Sequence, residues 1–390
     1  MRIAFICGSI EPGRDGVGDY TRRLAVECIR QGHECRIVAL NDKRSAGCQT
    51  QECDGVQIDC LRLPGSLPWK QRFEQAREFL SAFDPDWISL QFVPYGFHPK
   101  GIPWRLICGL KAVIAGKPLQ IMFHELWIGF GAAAPLKERC IGALQRLCIS
   151  RIIQTLKPRA IHTSNATYVG LLKRVGGLAT ELPLFGNIPV VDLGPESALP
   201  AQFVAAGIPS NPAGRSGWLL AVFFGTLHPE WEPQPLLGIL LRAAKRVGKR
   251  LCLVSAGRMG ASGEALWAKI QRENGEEIVF IKCGEQSGEQ ISTLLQIADL
   301  GVAVTPWELL GKSGTVAAML DHGLPVIYTR GDGNAGGSAE APFFHRCDEA
   351  LESKLVEGLE RRKPNPRVRE ICARFLASLP IVSRPVPTDL

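Results

Sequence analysis

Short apolar runs alternate with amphipathic stretches along the whole chain, and this alternation restricts the fold more than any other feature. Ile3 to Cys7 reads as a strand, followed by a helix from Asp19 to Arg30 and strands at Arg36 to Leu40 and Val56 to Leu63. Further strands are expected at Trp87 to Val93, Leu119 to Phe123 and Ala160 to Thr163, with helices at about 68–82, 102–115, 135–156 and 166–175. Uniformly apolar strands separated by helices form parallel sheets with helices on their faces, because a parallel partner needs a long crossover. From Phe185 to Gly217 the chain is rich in Pro, Gly, Ser and Asn and loses its periodicity, as a connection between domains does.

The pattern then restarts. Strands are expected at Leu219 to Phe224, Leu251 to Ser255, Ile278 to Lys282, Leu300 to Val304 and Pro325 to Thr329. Helices are expected at Pro235 to Val247, Gly263 to Glu273, Glu289 to Ala298 and Thr315 to His322. The last amphipathic stretch, Arg367 to Leu379, either stays with the second domain or crosses back over the first. The expected organisation is a Rossmann-like domain over 1–188, a linker over 189–216, a second such domain over 217–366, and a C-terminal helix and tail over 367–390. Open α/β sheets bind ligands beyond the carboxyl ends of their strands, so two facing sheets predict a cleft between the domains.

Composition narrows the function classes. At 390 residues a single core has stopped growing, which excludes one small binding module. A net charge of +7 does not announce a nucleic-acid binder. Its distribution is uneven: residues 1–190 hold 24 basic and 16 acidic side chains, so the first half would attract anions or an anionic membrane surface. Thirteen cysteines without a Cys-x-x-Cys pair read as reduced thiols in the cytosol, not as disulfides or a zinc site. The start lacks a signal-peptide core, and no uncharged apolar run reaches the ~18 residues of a membrane span.

Two loops carry candidate chemistry. The first follows the first strand and places Gly13, Gly16 and Gly18 just before a helix, where backbone amides can approach a phosphate. The dinucleotide pattern is not met, so a structural turn or another phosphate or sugar ligand remains. The second runs from strand Leu300 to Val304 through Gly311, Lys312, Ser313 and Gly314 into a helix. Pro306 stands where the Walker pattern needs glycine, and Trp307, Leu309 and Leu310 stiffen the loop, so a P-loop nucleotide hydrolase is the weaker alternative. Lys312 beside the amides of Ser313, Gly314 and Thr315 nevertheless makes a cationic donor cluster suited to a pyrophosphate; the plain alternative is a lysine on a solvated helix start.

The stretch from Ala298 to Pro306 and on from Gly311 through Gly323, Pro325 and Val326 resembles the donor-binding region of GT-B glycosyltransferases of the family-4, retaining type. Phe224 to Glu230 resembles their first strand and phosphate loop of the second domain. Gly16 to Thr21, Val93 to His98, and His124 to Trp127 resemble their acceptor-side loops. The resemblance spans nearly the whole chain and implies an α/β GT-B fold of two Rossmann-like domains. It implies transfer of a sugar from a nucleotide diphosphate donor to a glycan, lipid-linked or small-molecule acceptor, in bacterial surface-glycan or glycoconjugate assembly. No cofactor or metal and no nucleic-acid partner is implied; the protein would be cytoplasmic, with peripheral contact on an anionic membrane.

Carried over by position, the donor phosphates fall to Lys312, Ser313, Gly314, Thr315 and Arg258, and the donor loop to Gly225, Thr226 and Glu308. The amino-terminal glycine loop is Gly16, Val17 and Gly18. His124, Glu125 and Asp19 are the catalytic candidates, with His98 beside them. Each has a structural alternative: Asp19 as a helix cap, His124 and Glu125 as satisfied hydrogen-bonding groups, His98 as a loop residue. The family's Glu pair falls on Leu310 and Ala318, and its diphosphate-gripping Arg and Lys on Thr226 and Trp231. These departures motivate the competing expectation of a non-catalytic relative that binds a nucleotide sugar or glycan. The helix over Leu136 to Arg159, with Lys137, Arg139, Arg146, Arg151, Lys157 and Arg159, suits either an anionic lipid surface or a solvated basic face.

Overall fold

The computed structural model describes residues 1–131, 134–194, 200–209, 212–228, 231–331 and 343–380. The chain divides into two compact units, Met1–Leu184 with Val368–Leu390, and Phe185–Arg367.

The first unit begins β1 (Arg2–Cys7), α1 (Gly16–Arg30), β2 (Glu34–Asp42), β3 (Gly47–Cys53), β4 (Val56–Pro64), α2 (Trp69–Phe83) and β5 (Trp87–Phe92). It continues α3 (Pro94–Phe97), α4 (Trp104–Ile114), β6 (Leu119–Phe123), α5 (Leu136–Leu156), β7 (Ala160–Thr163), α6 (Ala166–Lys173) and β8 (Thr180–Glu181). Its sheet runs β3-β4-β2-β1-β5-β6-β7-β8, and every pairing is parallel except the hairpin of β3 with β4. Periodicity does not reveal β3, because Gly47 to Glu52 are polar or exposed and its only buried residue is Cys53. Helix α1 begins three residues before the expected Asp19.

The second unit holds α7 (Ala201–Ala205), α8 (Pro212–Arg215), β9 (Trp218–Phe224), α9 (Leu236–Arg246), β10 (Arg250–Ala256), α10 (Gly260–Asn274), β11 (Val279–Gly284) and α11 (Gly288–Ile297). After β12 (Leu300–Ala303) come a 3-10 helix (Trp307–Lys312), α12 (Gly314–Asp321), β13 (Val326–Tyr328), β14 (Phe344–Arg346) and α13 (Leu351–Glu357). The all-parallel order β11-β10-β9-β12-β13-β14 is the doubly wound arrangement, with apolar cores on both faces of the sheet. The four inner strands β10, β9, β12 and β13 are buried along nearly their whole length, which is why continuous apolar runs mark them.

The segment expected as a linker, 189–216, belongs to this second unit. Phe203 and Ile208 are buried in its core, Val191 N donates to Ser292 Oγ at 3.0 Å, and Gln296 Nε2 donates to Val191 O at 2.7 Å. Helices as short as α7 and α8 contribute too few apolar positions for a period to register. Helix α14 (Val368–Ala377) joins the first unit, burying Ile371, Cys372 and Phe375. Its Cys372 Sγ lies 3.5 Å from Cys28 Sγ of α1.

Candidate functional site

Doubly wound sheets bind ligands where the strand order reverses, beyond the carboxyl ends of the strands. In the second unit that point lies between β9 and β12. A small open pocket lies there, its walls including Gly225, Thr226, Val304, Thr305 and Thr315. Three adjacent strands end in glycines of positive φ: Gly225 at 91°, Gly257 at 91° and Gly284 at 68°. The turns stack, with Gly225 N donating to Ala256 O at 2.8 Å and Gly257 N to Gly284 O at 2.7 Å. A Cβ on Gly225 would stand 2.7 Å from Thr315 Cγ2, so only glycine lets the β9 turn lie against the start of α12.

Ser313 caps α12: its Oγ accepts from Val316 N at 3.4 Å and lies 3.0 Å from Thr315 Oγ1. The first amides of a helix lack intrahelical partners and carry the positive end of its dipole, so Gly314 and Thr315 add donors beside two hydroxyls. The amide of Ser313 is not part of this donor ring, contrary to expectation, since it donates to Leu310 O at 2.9 Å. Lys312 is half-buried at the end of the 3-10 helix, outside the pocket lining. Within that helix Trp307 N donates to Arg330 O and Leu309 N to Pro306 O. These amides are spent on backbone partners, where a Walker loop fans them around an anion.

Other donor-side expectations land differently. The half-exposed Arg258 guanidinium lies 3.6 Å from Glu285 Oε1, while the Arg258 carbonyl accepts from Thr226 Oγ1 at 3.5 Å. Glu308 is exposed and stands over Gly331, where a Cβ would come 2.9 Å from Glu308 Oε2, so it does not join the pocket wall. Leu310 and Ala318 lie in the apolar core, and a Cβ on Gly186 would stand 2.6 Å from Ala318 Cα. Trp231 is buried and donates from Nε1 to Thr329 Oγ1 at 3.1 Å.

In the first unit the strand order reverses between β1 and β5, and the chain fills that point itself. A Cβ on Gly8 would stand 2.7 Å from Gly96 O, Asn41 N donates to Gly8 O at 2.8 Å, and Asn41 Nδ2 donates to Gly96 O at 2.9 Å. Asp15, not Asp19, caps α1, its Oδ1 accepting from Val17 N at 3.0 Å and Gly18 N at 2.8 Å. Burial raises the Asp15 carboxyl above its ordinary value. The amides of Val17 and Gly18, expected to meet a phosphate, are therefore held by Asp15. Gly18 is glycine for packing, because a Cβ would meet Ser9 O at 2.4 Å, while Gly16 is exposed at the helix start. Asp19 lies in the first turn, accepting from Gly13 N at 3.0 Å and from Arg22 Nη2 at 2.6 Å.

Sequence reading missed the clamp behind this loop. Arg62 donates to both oxygens of the buried Asp42 at 2.9 Å, and Asp42 also accepts from Ile10 N at 3.3 Å. Burial pushes the Asp42 carboxyl up, but the Arg62 guanidinium and the amide donors outweigh it and hold the group below its ordinary value. His124 follows β6, donates from Nε2 to Gln91 Oε1 at 2.8 Å, and meets the Tyr20 ring edge-on at 4.9 Å. Burial lowers its pKa to about 3, so the imidazole is neutral at physiological pH. Glu125 is half-buried beside it. His98 Nδ1 accepts from Lys100 N and Ile102 N, both at 3.2 Å, which makes it the cap of a turn. Among the described residues, no group of three or more His, Cys, Asp or Glu is placed to hold a metal ion, and no helix is long and apolar enough to cross a membrane.

Comparison with family profiles and with curated proteins finds no match to this sequence. Solved structures are similar in fold. HepE of Anabaena in complex with UDP and glucose is 13% identical over 97% of this chain and 95% of its own, with a TM-score of 0.57. The catalytic domain of starch synthase IV from Arabidopsis thaliana, bound to ADP and acarbose, is 12% identical over 97% and 98%, with a TM-score of 0.56. A putative UDP-N-acetylglucosamine 2-epimerase from Listeria monocytogenes is 10% identical over 97% and 95%, with a TM-score of 0.52. At such identities the likeness defines the fold: this is a GT-B protein of two Rossmann-like domains, the second carrying an open pocket bordered by Gly225 at its strand reversal.

Proposed function

We propose that the protein is a glycosyltransferase, of the retaining family-4 type, that moves a sugar from a nucleotide diphosphate sugar to an acceptor in cell-surface glycan or glycoconjugate biosynthesis. The observation that carries the proposal is the pocket at the β9/β12 reversal, where Gly225 and Gly257 clear side chains away and Thr226, Ser313 and Thr315 bring hydroxyls to the start of α12. The departing nucleoside diphosphate needs positive charge where the bond breaks. In this reading the α12 amides supply part of it at the pocket, and Lys312 and Arg258, which stand outside the pocket wall, are the cationic partners of the diphosphate, with no metal and no cofactor taking part. His124, Glu125 and Asp19 handle the sugar or the acceptor; neutral His124 serves as a hydrogen-bonding group and not as an imidazolium acid.

The acceptor is a glycan, a lipid-linked intermediate or a small molecule, reached from the inner face of an anionic membrane. Helix α5 supports this location: Leu136 (75% exposed), Leu144 (47%) and Leu147 (47%) lie on its outer side with the exposed Lys137, Arg139, Arg146 and Arg151. Apolar side chains flanked by cations suit an interface of acyl chains and anionic headgroups. Co-sedimentation with phosphatidylglycerol vesicles, lost in Leu144→Glu/Leu147→Glu, is the expected result; equal sedimentation of the double variant would remove the membrane from the proposal.

A second reading, a relative that binds a nucleotide sugar without turning it over, is favoured by one observation: Leu310 and Ala318 occupy the core where the family resemblance places its acidic pair. Thermal shift with UDP, GDP, ADP and their sugars, with and without magnesium, is expected to show metal-independent stabilisation that Lys312→Ala weakens about tenfold in affinity, the loss of one charge-assisted contact. Slow release of free sugar from the donor supports the transferase; stabilisation with the donor intact supports the binder. No stabilisation by any nucleotide sugar would sink both.

A further inference from the structure

The first sheet carries a line of polar side chains where a parallel sheet is ordinarily apolar. Ser89 and Gln91 on β5, Gln120 on β6, His124 just beyond it and His162 on β7 are all buried, at 6% exposure or less. The period of two along each strand, with Ser89 opposite Gln120, Gln91 opposite Met122 and Met122 opposite His162, puts them on one face of the sheet. Helix α14 covers that face: Phe5, the register partner of Ser89, meets the Phe375 ring at 5.9 Å, and Trp87 Nε1 donates to Pro380 O just past the helix at 3.2 Å.

These side chains join end to end. His124 Nε2 donates to Gln91 Oε1 (2.8 Å), Gln91 Nε2 to Ser89 Oγ (2.7 Å), Ser89 Oγ to Gln120 Oε1 (2.5 Å), and Gln120 Nε2 to His162 Nδ1 (3.0 Å). An amide oxygen only accepts and an amide nitrogen only donates, so the direction is uniform along the line. Both imidazoles are then neutral Nε2–H tautomers. One other arrangement satisfies every link and also places the hydroxyl proton: both amides turned over, the hydroxyl reversed, and both imidazoles in the Nδ1–H form. A mixed arrangement either turns two amide oxygens toward the single Ser89 hydroxyl proton or, with both amide nitrogens donating to Ser89 Oγ, leaves that buried hydroxyl proton without an acceptor in the line.

We infer that Ser89, Gln91 and Gln120 are positioning residues that lock the tautomers of His124 and His162 together, holding His124 as Nε2–H with Nδ1 as its hydrogen-bond acceptor. Burial acts in the same direction by disfavouring a second proton on either ring, with His124 lowered to about 3 and His162 to about 4. The use of that acceptor nitrogen rests on the proposed function: it suits a sugar hydroxyl and repels a phosphate oxygen. The coupling itself does not depend on turnover.

The test is two-bond ¹H–¹⁵N correlation of the full chain labelled at histidine, which separates the two neutral tautomers and the imidazolium by their nitrogen shifts, with assignment by His124→Gln and His162→Gln. At neutral pH both rings of the native protein are expected as Nε2–H. In Gln120→Leu, which alters no direct partner of His124, the two His124 nitrogens are expected to move toward each other as the Nδ1–H form becomes populated. Ser89→Ala, a smaller change that cuts the line at its middle, is expected to do the same and serves if the leucine variant fails to fold. Native rings in opposite tautomers, or a His124 signal unmoved in a folded variant, would overturn the coupling. Loss of nucleotide binding or transfer would overturn the proposed function and leave these spectra unchanged.

Discussion

The first sheet reverses its strand order between β1 and β5 and the second between β9 and β12, and the two reversal points are furnished differently. In the first, Gly8 and Gly96 bring two backbones together, Asn41 bonds to both, and the Arg62–Asp42 pair ties down the loop. In the second, glycines of positive φ turn the chain aside, and a pocket remains between Gly225, Thr226 and Thr315. The same residue type closes one crevice and opens the other. What decides is whether the space left by the absent side chain is taken up by backbone or left to solvent.

That contrast is sharpened first by paired substitutions. Gly8→Val drives a side chain into Gly96 O and is expected to cost about 3 kcal/mol or more, the upper end for overpacking. Gly225→Val meets the movable Thr315 side chain but also strains the backbone at φ 91°, so a loss of stability is expected here too, with the loss of nucleotide-induced thermal shift complete. Chemical denaturation and ligand titration of both variants read the two effects. Nucleotide binding retained in Gly225→Val would break the comparison.

The smaller effect concerns protons. His124 and His162 have folded pKa values near 3 and 4, below the ordinary 6.5, so the fold prefers the neutral rings. Their contribution is present above pH 6.5 and is lost as pH falls from there toward the folded values, because the unfolded chain takes up protons first. Between pH 6.5 and 5 each ring is expected to withdraw on the order of 2 kcal/mol. Denaturation midpoints measured across that range should fall in the native protein and less in His124→Gln. A flat profile would place His124 in contact with solvent.

The sequence made most of the architecture legible. Continuous apolar strands such as Leu119–Phe123 and Ala160–Thr163 match their expected bounds, because burial on both faces leaves little choice of residue. The polar hairpin strand β3 and the short helices α7 and α8 had no such signal. Of the candidate site, Gly225, Thr226 and Thr315 come together as chain position at strand ends suggests. The roles of Val17 and Gly18 went the other way: Asp15, two and three residues upstream, is a local N-cap that spends their amides, a signal hidden by placing the helix start at Asp19. The partnership of Asp42 with Arg62 and the line from Ser89 to His162 depend on register between strands, which a linear pattern does not contain.

The return of α14 to the first unit has a consequence for synthesis. A ribosome emits Phe185–Arg367 in full before Val368 appears, so the unit whose translation starts first is completed last. Until then Phe5 and the stripe containing Ser89 lack the cover that Phe375 brings, and the nascent amino-terminal portion must wait, half-dressed, for the ten residues of α14 to leave the exit tunnel.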